Sequence, residues 1–362
     1  MDKKRKKKLF VFGIRGMPDI QGGVERHCEC LYPLLTTHFT ITVFRRSHYI
    51  RNKNKQWHNI RFIDLPSTRI KGIEAVLHSF LSAIICIFRR PDIIHIHNIG
   101  PGLFTPLLCM FGLKVIITYH SPNYEHSKWN FWQKKILLFS EYCSLNFANQ
   151  IIFVNNEHCK KIGAKYSYKS NWIPNGVKPP VFSMSTEFIR DLKLIEKKYI
   201  LAVGRITPEK GFDYLIEAYK HLKDTGYQLV IAGDSDHSST FSKKIIKLAQ
   251  DNNVILTGFI TGEPLFQLYK HAKLFVLPSF HESLSMSLLE AMSYNLEVLI
   301  SDIPSNLEIK LPENCYFKCG DLENLSCKIR DKITKQETPS YDLSLYNWDN
   351  IALQTLDVYK KK

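Results

Sequence analysis

Two cations lie five residues apart in the segment V-G-R-I-T-P-E-K-G at 203–211. The segment reads as the end of a strand, a turn and the start of a helix. A leaving diphosphate gains negative charge as its bond to carbon breaks. Arg205 and Lys210 beside a helix N-terminus would stabilise that charge without a metal ion. The pair therefore predicts a phosphate-binding site in the second half of the chain.

Two carboxylates, Glu282 and Glu290, lie eight residues apart across a predicted loop-to-helix junction at 278–292. Glu290 has apolar neighbours in the predicted helix, so its charge should face a polar ligand, and vicinal ribose hydroxyls suit a carboxylate acceptor. Glu282 and the backbone N–H groups that follow it would meet a sugar and its phosphates. The residues that follow Glu282 in this loop are Ser283, Leu284 and Ser285. Ordinary surface salt bridges are the alternative interpretation of the two carboxylates.

A pair of glycines, Gly22 and Gly23, directly precedes a predicted helix in the first half. Glycines at this position let the backbone approach an anion, and Arg15 could add positive charge. The segment does not match G-x-G-x-x-G, and Arg45 and Arg46 stand where a ribose-binding acid would end the second strand. A dinucleotide cofactor is therefore disfavoured, and a plain tight turn remains the alternative.

Three histidines occur at or near the ends of two predicted strands. His97 and His120 are candidates for ligand contact because they lie at strand ends, whereas His95 is interpreted as a structural residue. Neither strand offers a second ligand at metal-binding spacing, and the nine cysteines contain no C-x-x-C pair. The sequence thus predicts no metal site.

Short β-branched runs alternate with helical patterns along the whole chain, which is typical of the α/β class with parallel sheets. A run of turn-forming residues at 173–180 separates two such halves, and we place a hinge from there to about residue 197. The predicted organisation is two Rossmann-like domains, at 1–180 and 181–340, and a C-terminal helix at 341–362 that packs back on the first domain. Sheets of this kind place ligands at the carboxyl ends of their strands, which would face each other across a cleft. The predicted strands lie at 9–13, 40–45, 60–65, 93–97, 115–120, 150–155, 199–204, 228–233, 254–257, 274–278 and 298–301, and the predicted helices at 24–36, 73–88, 212–223, 241–251, 263–270 and 287–293.

The net charge of +15 is unevenly distributed. Residues 1–180 hold 27 Lys and Arg against 10 Asp and Glu, whereas residues 181–362 hold 22 against 24. Such asymmetry predicts an anionic partner for the first half, either a membrane surface or nucleic acid, and a solvated lysine-rich surface is the alternative interpretation. Because no apolar run reaches the length of a membrane span and no cleavage site follows the basic N-terminus, we expect a cytoplasmic protein.

The combined motifs resemble the retaining glycosyltransferases of family 4, which have the GT-B fold of two Rossmann-like domains. The resemblance covers nearly the whole chain and is specific only as a combination. The opening G-x-R-G-x-P with G-G-x-E looks like a subgroup that includes bacterial rhamnosyltransferases for surface polysaccharides. The matching motifs are the glycine pair at 22–23, D-x-x-H-x-H at 92–97, I-P-N-G at 173–176, G-R with K-G at 204–211, A-G-D at 232–234, T-G at 257–258 and the two glutamates at 282 and 290.

By this resemblance Arg205 and Lys210 would bind the diphosphate of a nucleotide-sugar donor. Glu290 would bind the ribose and Glu282 the donor sugar, with Ser283, Leu284 and Ser285 lining the same loop. Gly22 and Gly23 would contact the phosphates from the other domain, and His120 would lie beside the reacting sugar.

Two departures from the family pattern stand out. The usual E-G-F-G loop reads E-S-L-S at 282–285, and the usual G-x-P after the helix reads N-L-E at 295–297. Asn tolerates positive φ, so we expect the turn at Asn295 to survive. The serines would alter the sugar preference.

The resemblance implies a metal-independent hexosyltransferase without a cofactor in surface polysaccharide synthesis. Its acceptor would be a glycan or a polyprenyl-diphosphate-linked glycan. The tract at 3–8, Arg89-Arg90 and Lys134-Lys135 suit peripheral binding to the inner face of an anionic membrane. The alternatives are another GT-B enzyme, such as a sugar-nucleotide epimerase or a phosphorylase, and a basic nucleic-acid binder, for which no aromatic-studded basic motif is present.

Overall fold

The computed structural model describes residues 5–50, 53–68, 70, 73–122, 124, 129–183, 185–235, 239–335 and 339–361. Lys3 and Lys4 of the basic N-terminal tract lie outside these ranges. The chain divides into two compact units. The first comprises Met1–Gly176 and Tyr346–Lys362, and the second comprises Val177–Leu345. The sequence analysis had placed these divisions at residues 180 and 340.

The first unit is built on an eight-stranded sheet in which every pair is parallel except one edge pair. The strand order is β3-β4-β2-β1-β5-β6-β7-β8. Its strands are β1 (Lys7–Phe12), β2 (Phe39–Arg46), β3 (Gln56–Trp57), β4 (Ile60–Leu65), β5 (Ile93–His97), β6 (Val115–Tyr119), β7 (Gln150–Phe153) and β8 (Ser170–Trp172). Its helices are α1 (Gly23–Leu35), α2 (Ile73–Arg89), α3 (Thr105–Met110), α4 (Phe131–Phe147), α5 (Asn156–Lys161) and, after the second unit, α13 (Trp348–Lys360).

The central strands of this sheet are buried along their whole length. Every residue of β5, β6 and β7 is buried, as expected for parallel strands covered on both faces. Strand β1 pairs with both β2 and β5. The strands that follow in the chain are therefore added first on one side of β1 and then on the other. The carboxyl end beside β1 is therefore the place where an open α/β sheet binds ligands.

The C-terminal helix α13 belongs to the first unit and packs on α1. The Tyr359 ring meets the Phe39 ring edge-on at 5.5 Å. The Trp348 ring lies against Gly176 so closely that a Cβ there would come within 2.6 Å of it. Only glycine fits at this position, which is the last residue of the first unit before the chain enters the second unit.

The second unit is a six-stranded, fully parallel sheet with the order β11-β10-β9-β12-β13-β14. Strand β9 lies between β10 and β12, so this sheet has its own reversal point at β9. Its strands are β9 (Tyr199–Val203), β10 (Gln228–Ala232), β11 (Ile255–Gly258), β12 (Leu274–Leu277), β13 (Glu297–Ser301) and β14 (Tyr316–Phe317). Its helices are α6 (Glu187–Asp191), α7 (Phe212–Tyr219), α8 (Thr240–Asp251), α9 (Glu263–His271), α10 (Met286–Ser293), α11 (Pro304–Leu307) and α12 (Leu322–Thr334).

The sequence analysis located most strands of both sheets but missed several helices. The longest of these, α4 and α12, have 17 and 13 residues. The predicted helix at 212–223 is shorter than expected, since α7 ends at Tyr219 and tightens into a 3-10 turn. The expected left-handed turn at Asn295 is confirmed, with φ 50°. Among the described residues, no helix is both long and apolar enough to cross a bilayer.

Candidate functional site

The loop after β9 is shaped by a glycine that no other residue could replace without strain. Pro208 begins a 3-10 turn that ends at Lys210, and Gly211 then adopts φ 65° before α7 starts. A Cβ on Gly211 would collide with the carbonyl oxygen of Pro278 in the loop after β12. Since β9 and β12 are neighbours, their two loops leave the sheet side by side at its reversal point.

A second contact ties these two loops together. The backbone N–H of Phe280 donates to the carbonyl of Glu209 at 2.9 Å. The side chain of Lys210 runs back over Gly204, where an added Cβ would lie 3.5 Å from the lysine Cε. The lysine is thereby directed toward the carboxyl edge of the sheet, as its predicted role requires.

Lys210 and Glu282 form a direct ion pair in the second unit. The lysine Nζ donates to Glu282 Oε1 at 2.6 Å, and the two side chains are only 17% and 9% exposed. The hydroxyl of Ser279 donates to the same carboxylate oxygen at 2.7 Å. Two residues that the sequence assigned to one ligand thus meet, although 72 positions separate them along the chain.

The carboxylate of Glu290 is oriented by a hydrogen bond from a buried tyrosine. It is the fifth residue of α10, and its half-buried carboxylate accepts a hydrogen bond from the hydroxyl of Tyr269 at 3.1 Å. Tyr269 is 1% exposed and stacks on Tyr294 with the ring centroids 5.6 Å apart. The sequence analysis missed Tyr269, because an aromatic residue within an amphipathic helix looks like any other core position.

The other predicted residues of the second unit lie on the same two loops. Arg205 directly follows Gly204 beyond β9 and is half-buried. Ser283 and Leu284 are half-buried in the loop before α10. Ser285 is buried at the N-cap of α10, and its hydroxyl makes no capping bond but lies 3.1 Å from the hydroxyl of Ser287. The N-terminus of α10 therefore adds its positive dipole end to the carboxyl edge that holds Lys210.

In the first unit, the glycine loop precedes α1 as predicted, and Arg15 is paired with Glu25 of that helix. Gly22 has φ 146°, and a Cβ there would collide with the side chains of Glu25 and Arg15. The Arg15 guanidinium donates to both carboxylate oxygens of the buried Glu25 at 3.1 and 3.0 Å, and to the carbonyl of Gln21 at 2.6 Å. Arg15 therefore ties the glycine loop to α1 through the buried Glu25 and the carbonyl of Gln21.

The strand-end histidines form a buried hydrogen-bonded chain. His97 Nδ1 lies 2.9 Å from His120 Nε2, and His97 Nε2 lies 2.6 Å from the Tyr32 hydroxyl. That hydroxyl is also 2.9 Å from His95 Nδ1, which lies 2.5 Å from the Tyr359 hydroxyl. The chain therefore joins β5, α1, α13 and the residue that follows β6.

His27 of α1 completes this cluster, and the sequence analysis did not single it out. Its Nδ1 lies 2.9 Å from the side-chain oxygen of Asn175. Its ring meets those of His120, Trp348 and His97 at centroid distances of 5.2, 5.4 and 5.6 Å. The only sequence signal was a histidine on the apolar face of a predicted helix.

Burial keeps these imidazoles neutral near pH 7. It lowers the pKa of His27 to about 4 and that of His95 to about 3, and it holds the pKa values of His97 and His120 well below the usual value. Each hydrogen bond in the chain needs one donor, so the proton positions are linked. If the Tyr32 hydroxyl donates to His97, then His97 donates from its other nitrogen to His120.

The described parts of the chain contain no group of three or more His, Cys, Asp or Glu side chains that could hold a metal ion. The predicted metal independence stays a prediction. What the geometry offers is a cationic and hydrogen-bonding edge in the second unit and a neutral histidine cluster in the first. A phosphate group suits the former, whereas the histidines of the latter are buried and hydrogen-bond to one another and to tyrosine hydroxyls.

Comparison with known proteins identifies the family. The profile of the glycosyl transferases group 1 matches residues 185–341, and that of glycosyltransferase family 4 matches residues 21–179. The chain belongs to this family of glycosyltransferases. The first profile covers nearly all of the second unit, and the second covers the first unit except its first strand β1 and its C-terminal helix α13.

Individual relatives are more distant. An uncharacterized glycosyltransferase of Methanocaldococcus jannaschii is 29% identical over 61% of this chain and 62% of its own length. The serotype-specific mannosyltransferase WbdA of Escherichia coli is 30% identical over 48% of this chain and 23% of its own. The aligned region thus spans less than two thirds of either relative. These matches do not single out a rhamnosyl subgroup.

Solved structures identify the fold. HepE of Anabaena, crystallised in complex with UDP, superposes with a TM-score of 0.71 over 97% of this chain and 98% of its own, at 15% identity. The two parallel sheets form the GT-B fold of glycosyltransferases, as the sequence predicted.

Proposed function

We propose that this glycosyltransferase moves a hexose from a nucleotide-diphosphate donor to a glycan or lipid-linked glycan during surface polysaccharide synthesis. The observation that carries the proposal is the Lys210–Glu282 pair beside Arg205 at the carboxyl edge of the second sheet. A cation of this kind binds a diphosphate, and a carboxylate beside it accepts hydrogen bonds from sugar hydroxyl groups.

The donor is expected to bind the second unit. Its diphosphate would contact Arg205, Lys210 and the N-terminus of α10, and its ribose would meet Glu290, which Tyr269 orients. The UDP in the HepE complex makes UDP-sugars the first donors to test. The roles that the resemblance gives to Gly22, Gly23 and His120 stay predictions.

We propose transfer with retention of anomeric configuration. The bond from the anomeric carbon to the diphosphate oxygen breaks, and the acceptor oxygen forms its new bond on the same face. The proton of the acceptor hydroxyl passes to the departing diphosphate, so no protein nucleophile is required. Arg205 and Lys210 stabilise the charge that develops on the leaving group, which is where electrostatic catalysis is strongest.

The acceptor and the location of the protein follow from charge. The excess of Lys and Arg in residues 1–180 suits an anionic, membrane-borne acceptor such as a polyprenyl-diphosphate-linked glycan. The name of WbdA, a serotype-specific mannosyltransferase, supports only the role in polysaccharide synthesis. We therefore propose that the protein works in the cytoplasm, at the inner face of the membrane.

Release of nucleoside diphosphate from a panel of UDP-, GDP- and dTDP-sugars tests the activity. One donor should give turnover, and Arg205→Ala should lower kcat by about 100-fold or more, because removing one transition-state charge contact has an effect of that order. The matched control is Arg190→Ala, an exposed arginine on α6 of the same unit, which should leave kcat unchanged.

Full activity in Arg205→Ala would contradict the assigned diphosphate site. A folded wild-type protein that releases no nucleotide from any donor, and shows no thermal stabilisation by any nucleoside diphosphate, would contradict the proposed function itself.

A further inference from the structure

Helix α4 presents most of its large apolar side chains outward, and its buried face carries two serines, a cysteine and Leu145. Ser140, Cys143 and Ser144 are buried on the inner face. The hydroxyls of both serines donate to backbone carbonyls of the turn before them, at 2.8 Å. The outer face carries large side chains that are each more than half exposed: Phe131, Trp132, Ile136, Phe139 and Tyr142.

Steric crowding explains why small serines occupy the inner face of α4. The backbone at Gly102 passes so close to α4 that a Cβ there would collide with Ser144. A large residue at position 144 would push the helix off the sheet. The outward aromatic side chains stay exposed among the described residues, although a folded unit normally turns such side chains toward its core. An exposed apolar face of this extent marks an interaction surface.

The neighbouring helices extend this face. The α3 helix packs on α4, and the Cys109 Sγ donates to the carbonyl of Phe147 at 3.2 Å. Beyond it, Met110 is 82% exposed and Phe111 is half exposed. The Arg90 guanidinium donates to the Phe111 carbonyl at 3.2 Å, which places the end of α2 beside them.

The charges on this surface are mostly positive. The charged residues of α4 are Lys134, Lys135 and Glu141, and the carboxylate of Glu141 accepts a hydrogen bond from the buried Tyr119 hydroxyl at 2.6 Å. The exposed Lys135 lies over the Phe131 ring at 5.5 Å. Residues 101–113 contain no charged residue, and α2 ends in Arg89 and Arg90. An aromatic face fringed by lysine and arginine complements an anionic lipid surface.

We propose that the outer face of α4, with the exposed ends of α2 and α3, is the surface by which this protein binds an anionic phospholipid bilayer. Trp132, Phe139 and Tyr142 insert at the level of the headgroups, where aromatic rings are favoured, and Lys135 reaches the lipid phosphates. A second copy of the chain is a poorer occupant, because facing lysines would repel each other. This inference rests on the proposed function in one respect, because docking on a membrane is useful to an enzyme whose acceptor is in the membrane.

Flotation of the purified full chain with vesicles tests the proposal. Vesicles of phosphatidylglycerol with phosphatidylcholine should bind the protein, and binding should weaken in high salt and on pure phosphatidylcholine. The double variant Trp132→Ser/Phe139→Ser should bind at least about tenfold more weakly, because burial of one large aromatic side chain is sufficient for a factor of that size.

Two matched pairs separate this face from general surface effects. Ile136→Ser and Lys135→Glu on α4 should each weaken binding. Ile246→Ser and Lys247→Glu, at exposed positions on α8 of the second unit, should not. Brominated lipid should quench the fluorescence of Trp132, and Trp132→Phe should abolish most of that quenching.

Equal binding by the α4 and α8 variants would overturn the proposal, as would the absence of binding to anionic vesicles. A dimer in solution that the α4 variants dissociate would also overturn it, because the face would then be occupied by a second copy. Nucleotide release in the absence of lipid tests the proposed function separately. Loss of docking with intact release refutes only the docking surface, and docking without release refutes only the proposed activity.

Discussion

The Lys210–Glu282 pair is the residue-scale feature on which the donor site depends. Both side chains are mostly shielded, and Ser279 adds a third polar contact to the same carboxylate. The second unit also contains an ordinary surface pair, Lys220 and Glu217, at 2.7 Å with side chains 39% and 41% exposed. The distances are similar, but water screens the surface pair far more strongly.

Neutralising each acid in turn tests this difference. Glu282→Gln should lower the free energy of unfolding of the second unit by about 2 kcal/mol, because it leaves Lys210 shielded without its counter-charge. Glu217→Gln should lower it by less than about 0.5 kcal/mol. Chemical denaturation of both variants, followed by circular dichroism, measures the two values. Equal losses would show that the Lys210–Glu282 pair is no stronger than a surface contact.

At the scale of elements, the site depends on two loops that leave adjacent strands. The chain separates β9 from β12 by more than 70 positions, yet both loops emerge at one edge because the two strands pair. Gly211 allows the close approach, since its φ of 65° and its contact with Pro278 exclude a side chain. Gly226 has a similar φ of 72°, but no atom lies near the position of an added Cβ. A substitution at Gly226 therefore measures only the cost of the left-handed backbone conformation.

Alanine at these two glycines should therefore have unequal effects. Gly226→Ala should lower the free energy of unfolding by about 1 kcal/mol, the cost of a left-handed conformation for a residue with a Cβ. Gly211→Ala should lower it by about 2 kcal/mol more, because the methyl group also forces the two loops apart. Thermal unfolding and nucleoside diphosphate titration would measure the loss of stability and of donor binding. Identical behaviour of the two variants would refute the loop contact.

At the scale of the whole molecule, the first unit encloses several neutral histidines and is therefore sensitive to acid. The unfolded chain binds protons on histidine below about pH 6.5, whereas folded His27 and His95 bind them only near pH 4 and pH 3. Because the unfolded state holds more protons in that window, stability is full above pH 6.5 and falls as the pH falls toward 4.

We expect each such histidine to add a slope of at most about 1.4 kcal/mol per pH unit between pH 6 and pH 4. Denaturant unfolding of the first unit at a series of pH values measures the total slope. His27→Gln keeps a hydrogen-bonding group opposite Asn175. It should reduce the total slope by the contribution of about one proton, which is at most about 1.4 kcal/mol per pH unit. A pH-independent stability over this range would contradict neutral burial of the cluster.

The sequence by itself determined the alternation of strands and helices, the division into two α/β units and the residue types of the candidate site. These are local properties, since β-branched runs, glycine turns and charged residues after strands follow from the nearest neighbours in the chain. The left-handed turn at Asn295 was predictable for the same reason. The assignments of Arg205, Lys210, Glu282 and Glu290 to a donor remain predictions.

Only the tertiary structure decided which residues meet. Strand pairing brings Lys210 to Glu282, the packing of α13 brings Tyr359 to His95, and Glu25 pairs with Arg15. The helix α4 escaped prediction because most of its large apolar residues are exposed and serines occupy its buried face, so it lacks the pattern that identifies a surface helix. Contacts between distant parts of the chain depend on how whole elements pack, and no short segment of sequence encodes them.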